Sequence, residues 1–93
     1  MQFKVVEVID GGTFKVSPSW QLSTYKGDTV TASGYNPPSD NEPGFALMKK
    51  KLEDLVLNKK VELKEPMRIT NGRLICKVFF QDKDMADSFK EYK

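Results

Sequence analysis

The sequence predicts a mainly β domain with some α structure (α+β): a five-stranded β-barrel with one helix between the third and fourth strands and a short C-terminal helix. Five short segments alternate apolar and polar residues, as half-buried strands do. One segment between the third and fourth of these repeats its apolar residues at helical spacing instead. A length of 93 residues supports one hydrophobic core. We therefore expect residues 1–93 to form a single domain.

The chain opens with a predicted β-hairpin. Gln2–Ile9 alternates and is rich in valine, Asp10–Gly12 has the composition of a tight turn, and Thr13–Val16 resumes the alternation. Ser17–Lys26 is polar and contains a proline, which predicts a long connection. Asp28–Tyr35 then alternates as a third strand.

A proline-rich loop separates the third strand from the helix. Asn36–Pro43 contains three prolines among polar and acidic residues, so it can neither extend a strand nor begin a helix. Gly44–Leu57 follows with apolar residues on one helical face. Lys49–Lys51 lies on the opposite face, which predicts an amphipathic helix with a solvated basic side.

The last third of the chain predicts two more strands and a helix. Lys60–Lys64 alternates as the fourth strand, Arg73–Phe80 is predicted as the fifth, and Glu65–Gly72 is interpreted as a loop between them. A short helix is predicted from Asp84 to about Tyr92. Five strands with a helix between the third and fourth is the element order of an OB-type barrel, in which closure removes exposed sheet edges.

The composition narrows the possible functions. The formal charge of +2 permits binding to nucleic acid without implying it. The chain has no histidine, and Cys76 is its only cysteine, so histidine-based triads, zinc chemistry and an internal disulfide are excluded. No apolar run reaches membrane-spanning length and no signal peptide is visible, so we expect a soluble protein with no membrane partner. We expect a monomer by default, and the sequence does not assign a cellular compartment.

Several blocks resemble the staphylococcal nuclease-like (thermonuclease-like) family. Val8–Val16 resembles the family's opening hairpin, whose usual pattern is I-D-G-D-T. Asn58–Leu63 resembles its G-K-K-V-E-L strand, and Asn71–Leu74 resembles its Y-G-R-L turn. The blocks stand in the family's order and approximate spacing and cover nearly the whole chain. The resemblance implies an OB-fold.

The resemblance also implies a degenerate active site. Family nucleases hold calcium with two aspartates, position the attacking water with a glutamate, and meet the phosphate with two arginines, because a hard cation and a charged phosphoryl group demand those residue types. The first aspartate corresponds to Gly12 and the first arginine to Thr31. The second aspartate and the glutamate correspond to Asn36 and Ser39, and only Arg73 matches. We therefore expect no metal ligands, no cofactor and no catalysis.

Two alternatives stay open. The first is a weak or altered calcium-dependent phosphodiesterase, in which Asp40 or Glu42 replaces a lost carboxylate. Asp10 has a simpler role, since aspartate before glycine in a turn commonly bonds local backbone amides. The second alternative is binding of single-stranded nucleic acid.

Four residues are candidates for contact with nucleic acid or another ligand. Trp20, Tyr25 and Tyr35 have side chains that stack on bases, and Arg73 could meet a phosphate. We favour core or rim packing for Tyr35 and a position covering a loop for Trp20, and Arg73 could equally be a solvated surface charge. Cys76 alternates with apolar residues and reads as a buried hydrophobe. The leading hypothesis is a non-catalytic nuclease-like OB-fold module that binds an unidentified partner, either nucleic acid or another protein.

Overall fold

A computed structural model of the chain describes residues 2–38 and 41–89. The elements follow the order β-β-β-α-β-β-β-α. Their bounds are β1 Gln2–Val8, β2 Thr13–Leu22, β3 Tyr25–Ala32, α1 Phe45–Val56, β4 Lys60–Thr70, β5 Arg73–Phe80, β6 Lys83–Asp84 and α2 Met85–Ser88.

The first five strands form a closed barrel. They are ordered β3-β2-β1-β4-β5, with β6 added outside β5, and a parallel pairing of β3 with β5 closes the ring. In that pairing Thr29 lies opposite Arg73 and Ala32 opposite Cys76. The predicted fold class is confirmed, and the helix lies between β3 and β4 as expected. The architecture is compatible with an OB-fold.

The core fills the barrel and extends under α1. Phe14, Val30 and Val78 point inward from three strands and are fully buried. The apolar stripe of α1 buries Met48, Leu52 and Val56, which are spaced four residues apart. This helix was predicted to within one residue at each end, because its pattern needs no distant partner to be recognised.

The predicted long connection at Ser17–Lys26 is wrong. β2 continues to Leu22, and only two residues separate it from β3. The reason is Trp20, whose indole is buried and donates a hydrogen bond of 2.9 Å from Nε1 to the carbonyl of Thr29. Its ring lies directly on Gly27, where an added Cβ would stand 2.8 Å from the ring. Ser17, Ser19 and Gln21 are exposed along β2, which gives the segment its polar composition.

The predicted loop at Glu65–Gly72 is also wrong. β4 continues to Thr70, and a register shift between Lys64 and Arg68 accommodates Pro66. The turn is reduced to Asn71 and Gly72, both with positive φ (53° and 78°), which is the geometry of a tight hairpin. The two hairpins β2–β3 and β4–β5 are thus longer than the sequence indicated.

The remaining differences are small. β3 covers Tyr25–Ala32 and so begins and ends earlier than predicted, because the chain leaves the sheet after the amide of Ser33 bonds the carbonyl of Cys76 at 2.9 Å. The C-terminal helix covers Met85–Ser88, and the predicted continuation to Tyr92 lies beyond the described residues. No helix within the described ranges is long and apolar enough to cross a membrane.

Candidate functional site

The turn between β1 and β2 is where the resemblance places the family's first metal ligand. Gly12 is buried there, and a Cβ at this position would lie 3.0 Å from Cγ of Pro37. Such an approach is closer than ordinary van der Waals contact, so a side chain at position 12 would require Pro37 to shift by a few tenths of an ångström. The Asp10 carboxylate accepts a hydrogen bond of 2.8 Å from the Gly12 amide, the local role that an aspartate–glycine turn predicts.

Tyr35 packs against the same turn and hydrogen-bonds to it. Its hydroxyl donates a hydrogen bond of 2.9 Å to the carbonyl of Gly11 and lies 3.7 Å from the sulfur of Met85. Its ring contacts Phe89 with a centroid distance of 5.1 Å. Burial, with a smaller contribution from the charge of Asp10, raises the pKa of the Tyr35 phenol well above its usual range. Tyr35 is therefore a neutral, buried donor that fastens the turn to the core.

The other positions at which the resemblance expects a metal ligand, a catalytic glutamate or the first arginine carry no charge. The hydroxyls of Thr31 and Thr13 lie 3.0 Å apart and share a hydrogen bond, which satisfies the buried Thr13 side chain. Asn36 is exposed, and Ser39 lies outside the described residues. Within residues 2–38 and 41–89, no group of three or more acidic, cysteine or histidine side chains is placed to hold a metal ion.

The structure describes two of the carboxylates near these positions, Asp10 and Glu42. Asp10 is engaged by the Gly12 amide, and Glu42 lies on the exposed segment before α1. Asp40 lies outside the described residues.

Arg73 lies on the outer face of the barrel, in a row with Lys15 and Thr29 across β2, β3 and β5. The next row contains Thr31 and Arg68. We call these five residues the outer basic face. Among the residues that the structure describes, none of its three cations forms an ion pair.

The three candidate aromatic residues do not form one surface. Trp20 and Tyr35 are buried, 3% and 5% exposed, and each gives its polar hydrogen to a backbone carbonyl. Tyr25 is 62% exposed and begins β3 at the tip of the β2–β3 hairpin. The packing roles favoured from the sequence describe the first two.

A cleft that the sequence did not reveal opens between the two long hairpins. β1 lies between β2 and β4, but its pairing ends at Lys4 opposite Ser17 on one side and at Gln2 opposite Glu62 on the other. Beyond those points β2 pairs only with β3, and β4 only with β5, within the described ranges. We call the resulting gap the inter-hairpin cleft.

The inter-hairpin cleft is a pocket of about 390 Å³ with a largely apolar lining. Its walls come from the end of β2 and the middle of β4, and its floor from β1 and β5. The lining residues are Phe3, Ser19, Trp20, Gln21, Leu22, Leu63, Pro66, Leu74 and Cys76. The pocket is within the size range of small-molecule and side-chain sites.

Cys76 contributes an unreactive thiol to this pocket. The side chain is fully buried, and burial raises the pKa of the thiol to about 12. The thiolate is the nucleophilic form of cysteine, so this side chain acts as an apolar wall. The chemistry of the inter-hairpin cleft is therefore that of binding: apolar surface beside two strand edges.

Comparison with known proteins adds no family to these observations: no protein-family model matches the chain, and no curated protein matches it. The protein is a small closed β-barrel that is compatible with an OB-fold. It carries the outer basic face on its side and the inter-hairpin cleft at one end.

Proposed function

We propose that the protein is a non-catalytic binding module of the OB type and that its principal ligand site is the inter-hairpin cleft. The observation that carries this proposal is the apolar pocket of about 390 Å³ between β2 and β4. OB-type barrels bind ligands on a strand face and the loops beside it, and the fold alone assigns no function, so the proposal rests on the pocket itself.

The packing of the β1–β2 turn supports the non-catalytic part of the proposal. A calcium-dependent phosphodiesterase needs anionic oxygen ligands at fixed positions. Here Pro37 occupies the space beside Gly12, and the hydroxyl of Tyr35 takes the carbonyl of Gly11. We expect no calcium-dependent cleavage of single-stranded or duplex DNA. Cleavage that requires calcium, survives repurification and disappears in Arg73→Ala would refute this part.

Trp20 provides the test of the ligand site, because it is the only tryptophan and lines the pocket. The apolar dye anilinonaphthalene sulfonate should bind the folded protein with a change in Trp20 emission. Leu22→Gln should weaken that binding by about 10-fold, since it replaces an apolar wall with a polar amide. Leu47→Gln is the matched control, because Leu47 is 59% exposed on α1 and away from the pocket lining. Equal dye binding by the two variants would refute the assignment of the site.

A second candidate function, binding of single-stranded nucleic acid, is favoured by the outer basic face. Its three cations, Lys15, Arg68 and Arg73, lie in adjacent rows without ion pairs among the described residues. This function predicts micromolar affinity for short oligonucleotides that falls as salt rises, because phosphate contacts release counterions. Arg68→Gln with Arg73→Gln should remove the affinity, and Lys50→Gln on the exposed side of α1 should not. Absence of binding at low salt would exclude this candidate.

A further inference from the structure

We propose that the inter-hairpin cleft receives an extended peptide that adds a strand between β2 and β4, with apolar residues alternating with acidic ones. This inference rests on the proposed binding function and names its ligand. The peptide would lie along the line that β1 follows lower in the barrel and would pair with the hairpin edges that flank it.

The first support is the width of the gap. β2 and β4 both pair with β1, so one strand separates them where β1 is present. Neighbouring strands lie about 4.8 Å apart, which sets β2 and β4 roughly 10 Å from each other. Past the pairs Lys4–Ser17 and Gln2–Glu62, no strand pairing of the described residues joins β2 or β4 to a strand between them. A separation of about 10 Å accommodates one extended chain.

The second support is the direction of the backbone groups of β2. Leu22 and Tyr25 flank a two-residue turn and therefore exchange hydrogen bonds with each other. In an antiparallel ladder the next pair, Gln21 with Lys26, does not, so the N–H and C=O of Gln21 point away from β3. That direction is toward the cleft. An incoming strand would find a donor and an acceptor there that no strand pairing in the described residues uses.

The third support is the alternation of the surroundings. A strand in this position points every second side chain into the barrel, where Phe3, Leu63 and Leu74 offer apolar contact. The intervening side chains point outward, as do Lys4 and Arg68 on the strands beside the gap. The inner positions of the peptide are therefore apolar.

The charges beside the gap determine the outer positions. The two glutamates of β4 are already neutralised: Glu62 pairs with Lys64 at 3.7 Å and Glu65 with Lys77 at 3.5 Å. Lys4 on β1 and Arg68 on β4 are exposed and form no ion pair with any residue in the described ranges. The uncompensated charge is positive, so acidic side chains are favoured at the outer positions of the peptide.

The test uses a synthetic eight-residue peptide in which valine or leucine alternates with glutamate, titrated against the intact chain while Trp20 emission is recorded. A control peptide has the same sequence with N-methyl groups on alternate residues, which removes the hydrogen bonds of one edge while keeping side chains and charge. The parent peptide should bind and displace the dye, and methylation should weaken binding by about 10-fold or more. Equal binding of the two peptides would overturn strand addition.

A pair of protein variants gives the same test from the other side. Gln21→Pro removes the amide that faces the cleft, whereas Gln21→Ala keeps it. Only the proline variant should lose affinity for the peptide. Both variants should show the circular dichroism spectrum of the wild type. If the proline variant does not fold, the comparison with the methylated peptide decides the question.

Dye binding separates the two proposals. Dye binding without peptide binding would overturn strand addition and leave the cleft as a ligand site, whereas loss of both would overturn both. Self-association that changes Trp20 emission, in place of peptide binding, would overturn the peptide in favour of a second copy of the chain.

Discussion

Gly12→Ala tests whether the β1–β2 turn is packed closed. The new Cβ would lie 3.0 Å from Cγ and 3.5 Å from Cδ of Pro37, in a buried turn. Overpacking of this kind typically costs about 1–3 kcal/mol of unfolding free energy. For a domain of this size that corresponds to a fall in Tm of roughly 5–20 °C, measured by circular dichroism and by urea unfolding.

A double-mutant cycle identifies the cause of that loss. Pro37→Ala removes both ring atoms that a side chain at position 12 would meet, so the double variant should recover at least about 1 kcal/mol relative to the sum of the single changes. Gly12→Asp should be less stable than Gly12→Ala, because it adds a carboxylate to a buried position, and it should not gain calcium affinity. A Gly12→Ala variant within about 0.5 kcal/mol of wild type would refute the packing argument.

Four further predictions follow from the same contacts. Gly27→Ala should destabilise the chain by about 1–3 kcal/mol and shift Trp20 emission, because its Cβ would stand 2.8 Å from the indole ring; unchanged emission and stability would contradict this packing. Tyr35→Phe should cost about 1–3 kcal/mol in urea unfolding, because the carbonyl of Gly11 loses its donor. The raised pKa of Tyr35 stabilises the folded chain below the ordinary phenol pKa of about 10, and this contribution should fall as pH rises above that value; a Tyr35→Phe variant with the same alkaline loss would argue against it. Cys76 should resist a thiol reagent at pH 8 in the folded chain and react in urea, since burial raises its pKa to about 12; rapid labelling of the folded chain would contradict its burial.

The local patterns of the sequence predicted the elements that local physics determines. The spacing of Met48, Leu52 and Val56 predicts α1 without knowledge of what covers it. Arg73–Phe80 is rich in β-branched and aromatic residues, and it was predicted with the bounds that the structure has. The order of strands and helix then allowed only a few topologies, and the closed barrel is among them.

The lengths of the two hairpins depend on contacts that are distant in sequence. Ser17–Leu22 is polar on its outer face, and only the packing of Trp20 on Gly27 shows that it is a strand. The same applies to Arg68–Thr70, whose single inward residue is Ile69. Local polarity indicated loops because pairing partners are not visible in a short window of sequence.

The β1–β2 turn and the inter-hairpin cleft also differ in how much the sequence reveals. The uncharged residues Gly12, Thr31 and Asn36 can be read directly from the sequence. The contacts of Pro37 and Tyr35 with that turn cannot be predicted from the sequence, because they depend on the path of the loop after β3. The cleft depends on where the pairing of β1 stops relative to β2 and β4, which is a property of register.

A residue-resolved NMR titration tests the central claim most directly, with the alternating peptide and calcium added to separate samples. The account predicts that the peptide shifts the Trp20 indole, the Gln21 amide and the methyl groups of Leu63 and Leu74, and that calcium leaves Asp10, Gly12 and Asn36 unchanged. Saturable calcium-dependent shifts that converge on Asp10, Asn36 and Asp40, with no response to the peptide at Trp20, would contradict it.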